Sequence, residues 1–342
     1  MTAMVEVRTS PVENLKPAWF ASVMATGIVS RAIGSAGLGT LSAIMLYLAL
    51  AAFAILIVAT LVRLVRFRAA AVADAMNPAT GFTYLTFVAA AAVMSTGLSR
   101  RDHLVAALTL LAVAALAWLV LGYGIPAVLM VHHRGPAGLS ADGTWFIWVV
   151  ATQSLAVAAT ALPQPWAGRF AVPALLCWSV GTMLYLLVAT LVLATLFTDT
   201  LTAARLVPAY WVFMGATAIS VLAAAQLLHL DDIPLLTSMR PVLIGVAVLL
   251  WAFGSWLIPL LLLAGVWRHF VQHIRLAYEP GLWSIVFPVG MYGVGTRELG
   301  SAIGEQWMVT FGGGEAWVAL TVWIVTAVAL LLSFRKSRDV SR

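Results

Sequence analysis

Trp19-Phe20-Ala21-Ser22-Val23-Met24-Ala25-Thr26 opens the first long apolar stretch of the chain, and its outline returns twice. Trp145-Phe146 stand before Thr152, and Tyr210-Trp211 before Thr217, at the same distances as Trp19-Phe20 before Thr26. An alanine (Ala25, Ala151, Ala216) directly precedes each threonine. Thr26 and Thr152 lie 126 residues apart, twice 63, and Thr152 and Thr217 lie 65 apart. A step of 63 from Thr26 reaches Ala89, with Phe82 seven residues before it, and Gly290 has Trp283 seven before it. Five independent helices with ordinary aromatic belts at the membrane interfaces would leave a similar trace. The structural alternative is five helical hairpins in parallel orientation about an axis along the membrane normal.

Composition sets the solvent. Hydrophobic residues fill 63% of 342 positions and charged residues 9%, whereas a soluble domain carries about 25% charged residues. So few charges cannot cover a wetted surface, and the length allows about ten spans of ~20 apolar residues. Helices are forced, because backbone facing lipid must satisfy its own hydrogen bonds. The chain therefore reads as an all-α polytopic membrane protein with spans at 17–36, 40–62, 80–98, 104–130, 142–162, 167–197, 206–229, 241–266, 281–303 and 314–334. This divides it into a tail over 1–16, a transmembrane transport domain over 17–334 and a tail over 335–342. With the N-terminus inside, 13 of the 19 lysines and arginines fall on the cytoplasmic side and 6 opposite. That asymmetry predicts a multi-pass protein of the plasma membrane with both termini cytoplasmic. The tail residues Glu6, Arg8, Glu13 and Lys16 interrupt any short apolar leader, so the first span is expected to direct insertion. The net charge of +6 sits in loops and tails, a topology signal rather than a nucleic-acid surface. A single cysteine, Cys177, excludes a disulfide framework and a thiolate metal cluster.

Polarity alternates along the chain. The second span holds only Thr40, Ser42, Tyr47 and Thr60, and the fourth is nearly pure Leu, Ala and Val. The odd spans carry Ser22, Thr26 and Ser30; Thr83, Thr86, Ser95 and Thr96; Thr152, Gln153 and Ser154; Thr217, Ser220 and Gln226; and Ser284 and Thr296. Ser22, Thr26 and Ser30 share one helix face, and polar faces avoid lipid. Odd helices should thus form an inner ring of five around a central pore, with even helices outside. The expected pore-lining residues are Ser22, Thr26, Ser30, Thr86, Thr152, Gln153, Thr217, Ser220, Ser284 and Gly290. Each such hydroxyl has a competing role, since Ser and Thr also bond their own backbone or tighten helix packing.

Lys16-Pro17-Ala18-Trp19-Phe20 with Met24-Ala25-Thr26-Gly27-Ile28-Val29-Ser30 resembles the first-helix motif of the tellurite-resistance/dicarboxylate transporter family. That family includes bacterial tellurite-resistance proteins, fungal malate and sulfite transporters, and plant slow anion channels. Trp283-Ser284-Ile285-Val286-Phe287-Pro288-Val289-Gly290-Met291-Tyr292 is similar to its ninth-helix motif. The resemblance implies a quasi-fivefold ring with one pore per subunit, usually a homotrimer, passing small inorganic or organic anions. It also implies a ninth-helix phenylalanine that occludes the pore, a role that falls by position on Phe287.

Phe287 has a physical case as well. Pro288 lacks an N–H and deprives the Ser284 carbonyl of its helical partner, so a bulky ring stands beside a point of bending. Hydrophobic constrictions gate by dewetting. Arg31 and Arg297 sit at the outer ends of the first and ninth spans, where they either attract anions or snorkel to the interface. Acids cluster instead in loops (Asp74, Asp102, Asp142, Asp199, Asp231, Asp232, Glu279), and a cation route would call for a carboxylate ring. Two transport modes remain open: an anion channel or uniporter, and a proton-coupled carrier for malate-like C4-dicarboxylates, sulfite or a tellurite-related anion. A membrane-embedded enzyme or electron carrier is the remote alternative. The histidines His103, His132, His133, His229, His269 and His273 lie at span ends or in loops, so no cofactor is expected.

Overall fold

The computed structural model describes residues 10–132, 141–199, 202–231 and 233–340. The expectations attached to Glu6, Arg8, His133, Arg134, Asp232 and the last two residues of the C-terminal tail lie outside the described residues. Every regular element among the described residues is helical: α1 (Phe20–Ser35), α2 (Gly39–Arg66), α3 (Arg68–Met76), α4 (Thr86–Ser99), α5 (Leu104–His132), α6 (Phe146–Thr160), the one-turn α7 (Trp166–Arg169), α8 (Ala171–Thr198), α9 (Trp211–Leu228), α10 (Pro234–Val266), α11 (Trp283–Ile303) and α12 (Gln306–Val340). Among the described residues, 8 segments are long and apolar enough to cross a membrane. They contain α2, α4, α5, α6, α8, α9, α10 and α12. The chain is a polytopic membrane protein. α1, with 16 residues, and α11, which carries Arg297 and Glu298, complete the helices expected to span.

Two helix starts differ from the sequence reading by seven residues or more. α10 begins at Pro234 rather than 241, because a proline in the first turn has no intrahelical N–H bond to lose, and the helix continues through Pro241. α12 begins at Gln306 rather than 314 and runs through Gly312-Gly313-Gly314. Those glycines mark contact rather than a break: a Cβ at Gly312 would stand 2.5 Å from the Gly293 carbonyl oxygen of α11.

Burial alternates as polarity does. In the apolar windows of Gly143–Thr160 and Pro208–Leu228, 94% of residues are buried, against 11% for Gln306–Arg335. The buried helices touch in a closed cycle, α1 to α4 to α6 to α9 to α11 and back to α1. Each also packs against the long helix that follows it: α1 on α2, α4 on α5, α6 on α8, α9 on α10, α11 on α12. A 3₁₀ turn leads into each buried helix: Pro17–Trp19, Gly81–Leu85, Gly143–Trp145, Pro208–Tyr210 and Pro280–Leu282. These turns touch in the same cyclic order, so the five helices start from one end of the bundle. Contact there is tight. The Thr86 hydroxyl donates to the Pro17 carbonyl at 2.9 Å, and a Cβ at Gly143 would collide with the Ala209 carbonyl.

Tryptophans on the exposed helices tie the helix pairs together at four of the five seams. The Trp323 indole of α12 donates to Thr26 Oγ1 of α1 at 2.9 Å. Trp118 of α5 donates to Thr152 of α6 at 2.8 Å, Trp251 of α10 to Thr296 of α11 at 3.0 Å, and Trp178 of α8 to the Ser220 carbonyl of α9 at 3.1 Å. Each threonine passes its own proton back one turn: Thr26 to the Ser22 carbonyl at 2.8 Å, Thr152 to Trp148 at 2.8 Å, Thr296 to Tyr292 at 2.7 Å. Both partners are thereby satisfied away from water. At the remaining seam, α2 against α4, Arg101 reaches Ser42 Oγ at 3.1 Å.

A double-mutant cycle tests such a seam. Thr152→Val strands the Trp118 N–H and should cost about 1–3 kcal/mol, while Trp118→Phe with Thr152→Val together should cost less than the sum. The expected coupling, read from thermal unfolding in detergent, is about 0.6 kcal/mol. Strictly additive losses would remove the bond from the seam.

Candidate functional site

A cavity of about 360 Å³ opens where the five buried helices end. α1 contributes Gly27, Ser30 and Arg31; α4 contributes Val93 and Thr96, with Arg100 and Arg101 directly after it; α6 contributes Ser154 and Val157. α9 supplies Ile219 and Leu222, α11 supplies Met291, Val294, Arg297 and Glu298, and Ser42 enters from α2. All five members of the cycle meet at this one space.

The charged lining is four arginines, Arg31, Arg100, Arg101 and Arg297, against one carboxylate, Glu298. Arg31 is the most enclosed of the ion-paired groups that line the cavity. Its side chain is 10% exposed and donates to Glu298 Oε1 at 2.8 Å. Arg100 approaches the same oxygen at 3.7 Å, and His229 Nε2 lies 3.8 Å from Glu298 Oε2. A buried guanidinium without such a partner costs several kcal/mol, so Glu298 is what allows Arg31 to sit here. Ser30 donates to the Ser42 carbonyl at 2.6 Å. Arg297 has no hydrogen bond or ion pair among the described residues. The excess of positive charge in a recessed, partly dry space favours anions and disfavours cations.

The lining also has apolar side chains, among them Val93, Val157, Ile219 and Met291. Phe287 follows one turn deeper on the same face of α11 as Met291, 2% exposed, and the cavity stops short of it. Pro288 lies against α9, where a Cβ at Gly215 would stand 2.7 Å from its ring.

Of the residues expected to line a pore or draw anions, Ser30, Arg31 and Arg297 reach this cavity. The others are engaged elsewhere. Thr26 and Thr152 hold the indole seams. Thr217 bonds the Met214 carbonyl at 2.7 Å and packs against Gly254 of α10. Gln153 donates to the Trp178 carbonyl of α8 at 3.1 Å. The hydroxyls of Ser22 and Ser220 return to carbonyls of their own helices or leading turns, and Thr86 joins two leading turns. Gly290 faces Ile28 and Ala319, between α1 and α12, and Ser284 is half-buried near the start of α11.

Sequence reasoning passed over Ser154, Thr96, Arg100 and Arg101 as site residues and left Glu298 unassigned. Arg100 and Arg101 counted only as topology charges, although two arginines directly after a polar span are a local signal. Ser154 follows Thr152 and Gln153, and nothing local says which of the three polar neighbours faces inward. It is 2% exposed, lines the cavity, and its hydroxyl has no hydrogen-bond partner among the described residues.

Residues 14–331 match the family model described as a voltage-dependent anion channel. An uncharacterized transporter of Methanocaldococcus jannaschii is 21% identical over 345 residues, covering 96% of each chain. A second uncharacterized transporter of that organism is 23% identical over 151 residues, 44% of this chain and 43% of its own. An uncharacterized membrane protein of Mycobacterium tuberculosis is 48% identical over 148 residues, 43% of this chain and 75% of its own.

An orphaned buried hydroxyl is a liability to folding and an asset to a ligand. Ser154→Ala should leave stability unchanged or raise it by up to about 1 kcal/mol, since it removes an unsatisfied group. The same change should weaken nitrate binding, read as nitrate-dependent thermal stabilisation. Clear destabilisation, with nitrate binding untouched, would make Ser154 a packing residue.

Proposed function

The chain belongs to the voltage-dependent anion channel family, and from that premise we propose a conduction path for small anions along the axis of its five buried helices. Members of this family carry anions across membranes and are not enzymes. It is the family to which the Lys16–Ser30 and Trp283–Tyr292 motifs pointed. In the proposed arrangement ten spans form five parallel hairpins around a central pore, with the arginine cavity as its outer mouth. Both termini lie in the cytoplasm of a plasma-membrane protein, in keeping with the lysine and arginine asymmetry. Three such subunits associate through their apolar outer helices, each keeping its own pore.

The observation that carries this reading is the convergence of all five buried helices on one cavity with four arginines and a single carboxylate. Guanidinium groups near the mouth raise the local anion concentration. Ser30, Thr96 and Ser154 bring hydroxyls to the same space. Beyond them the path closes on apolar side chains, with Phe287 as the gate and Pro288 as the point at which α11 yields.

Reconstitution in liposomes tests the reading and separates the transport modes. Electrogenic flux that follows the anion gradient is a channel; saturating uptake driven by a proton gradient is a carrier. Malate, sulfite, chloride, nitrate and tellurite form the panel. Phe287→Ala should raise basal anion flux by roughly tenfold or more by opening the dewetted constriction. The same truncation costs about 3–5 kcal/mol of core packing, so flux is normalised to folded, inserted protein. Unchanged flux per folded molecule would remove Phe287 from the gate.

A further inference from the structure

We propose that Arg31, Arg100 and His229 form a seat for a single carboxylate or oxyanion, and that the chain's own Glu298 carboxylate fills it. The inference rests on the reading of the arginine cavity as part of an anion path, and it assigns that path a built-in competitor.

The seat is assembled from three helices. Arg31 of α1 and Arg100, directly after α4, converge on Glu298 Oε1 at 2.8 and 3.7 Å, and His229, directly after α9, faces Oε2 at 3.8 Å. Basic side chains facing both oxygens of one carboxylate, with Arg31 at hydrogen-bond distance and Arg100 and His229 farther off, make a surround that suits an oxyanion, for which guanidinium groups provide the matching fork. Glu298 is the one carboxylate among the cavity's lining residues. A free anion cannot settle beside it without meeting like charge at close range, so an incoming anion takes its place.

The carboxylate is also the member free to leave. The Glu298 side chain is 24% exposed and Arg31 10%, so water reaches the acid more readily than the base. Arg31 has a second acceptor when Glu298 departs. With the Gln226 amide oriented so that its nitrogen donates to Thr160 Oγ1 at 3.0 Å and the Val157 carbonyl at 3.1 Å, its oxygen accepts from Arg31 Nη2 at 3.1 Å. The guanidinium therefore stays in place while the anion above it exchanges. A group tethered by one side chain competes at a millimolar or higher effective concentration, which lowers the apparent affinity for free anions and keeps the seat occupied without them.

Nitrate serves as the probe in two measurements on the full chain. One is thermal stabilisation in detergent by nitrate against gluconate at equal ionic strength; the other is nitrate flux in proteoliposomes. In Glu298→Gln the half-saturating nitrate concentration should fall about tenfold as the tethered competitor is lost, and flux at low nitrate should rise. Glu298→Asp, which keeps a carboxylate, should stay near the wild-type value. Arg100→Gln, altering a side chain that is 48% exposed and therefore tolerant, should weaken nitrate binding. A lower unfolding temperature in Glu298→Gln with half-saturation and flux unchanged would make Glu298 a brace for Arg31 and overturn the proposal. Wild-type flux with no shift in Glu298→Gln sinks the seat and leaves the pore. Tighter nitrate binding in Glu298→Gln, without flux in any variant, sinks the pore and leaves the seat.

Discussion

Inside a lipid-solvated bundle a hydroxyl or an indole N–H finds no water, and every other feature of this fold accommodates that constraint. The threonines of α1, α6 and α11 resolve it by serving two partners at once, giving a proton to the carbonyl one turn back and taking one from a tryptophan on the neighbouring pair. The indole is large, apolar and polar at a single atom, so it spans the gap between an exposed and a buried helix while its N–H reaches a fixed acceptor. Four such bonds join successive helix pairs, which fixes the order of the pairs around the bundle rather than only the packing within each.

The same constraint explains which parts of the fold were legible in the sequence. Alternation of hydroxyl-bearing and apolar spans correctly separated buried from exposed helices, because polar groups in lipid must be covered whatever they bond to. The Trp19, Trp145 and Tyr210 repeat also reported something real. Each closes the 3₁₀ turn that leads into a buried helix. In α11 the aromatic shifts by one: Leu282 closes the turn and Trp283 starts the helix. The glycine run of α12 misled because glycine reads as a break in isolation, while here it lets two backbones approach. Close approach involves a residue far away in sequence, and no local pattern announces it.

The site was less legible for the same reason. A hydroxyl on a buried helix has two directions to face, toward the axis or toward the covering helix, and composition is blind to the choice. Thr152, Gln153 and Ser154 are consecutive and polar, yet two of them bond α5 and α8 and the third lines the cavity. The decision lies with Trp118 and Trp178, 34 residues from Thr152 and 25 from Gln153 in the chain. Charges were easier to place, because an arginine near the end of a buried helix must find an opposite charge or water. Arg31 found Glu298, an acid 267 residues away.

The two ends of the bundle are unlike, and the difference locates where it can yield. At the leading turns the five buried helices press together, with Gly143 against the Ala209 carbonyl and Thr86 bonded to Pro17. At the other end they part around the arginine cavity. Passage along the proposed path would require one helix to give in its first turns, and α1, α4, α6 and α9 are uninterrupted by proline there. α11 alone among the five carries an internal proline, and Pro288 rests on Gly215, where no side chain resists displacement. Farther along, Gly293 and Gly312 hold α11 to α12 backbone against backbone, which couples the rest of the helix to its exposed partner. In the proposed gate, bending at Pro288 would move the short segment that bears Phe287 while the Glu298 end stays anchored. Phe287, the proposed gate, and the charged cavity residues Arg297 and Glu298 are on one helix, separated by the point at which Pro288 breaks the hydrogen-bond ladder.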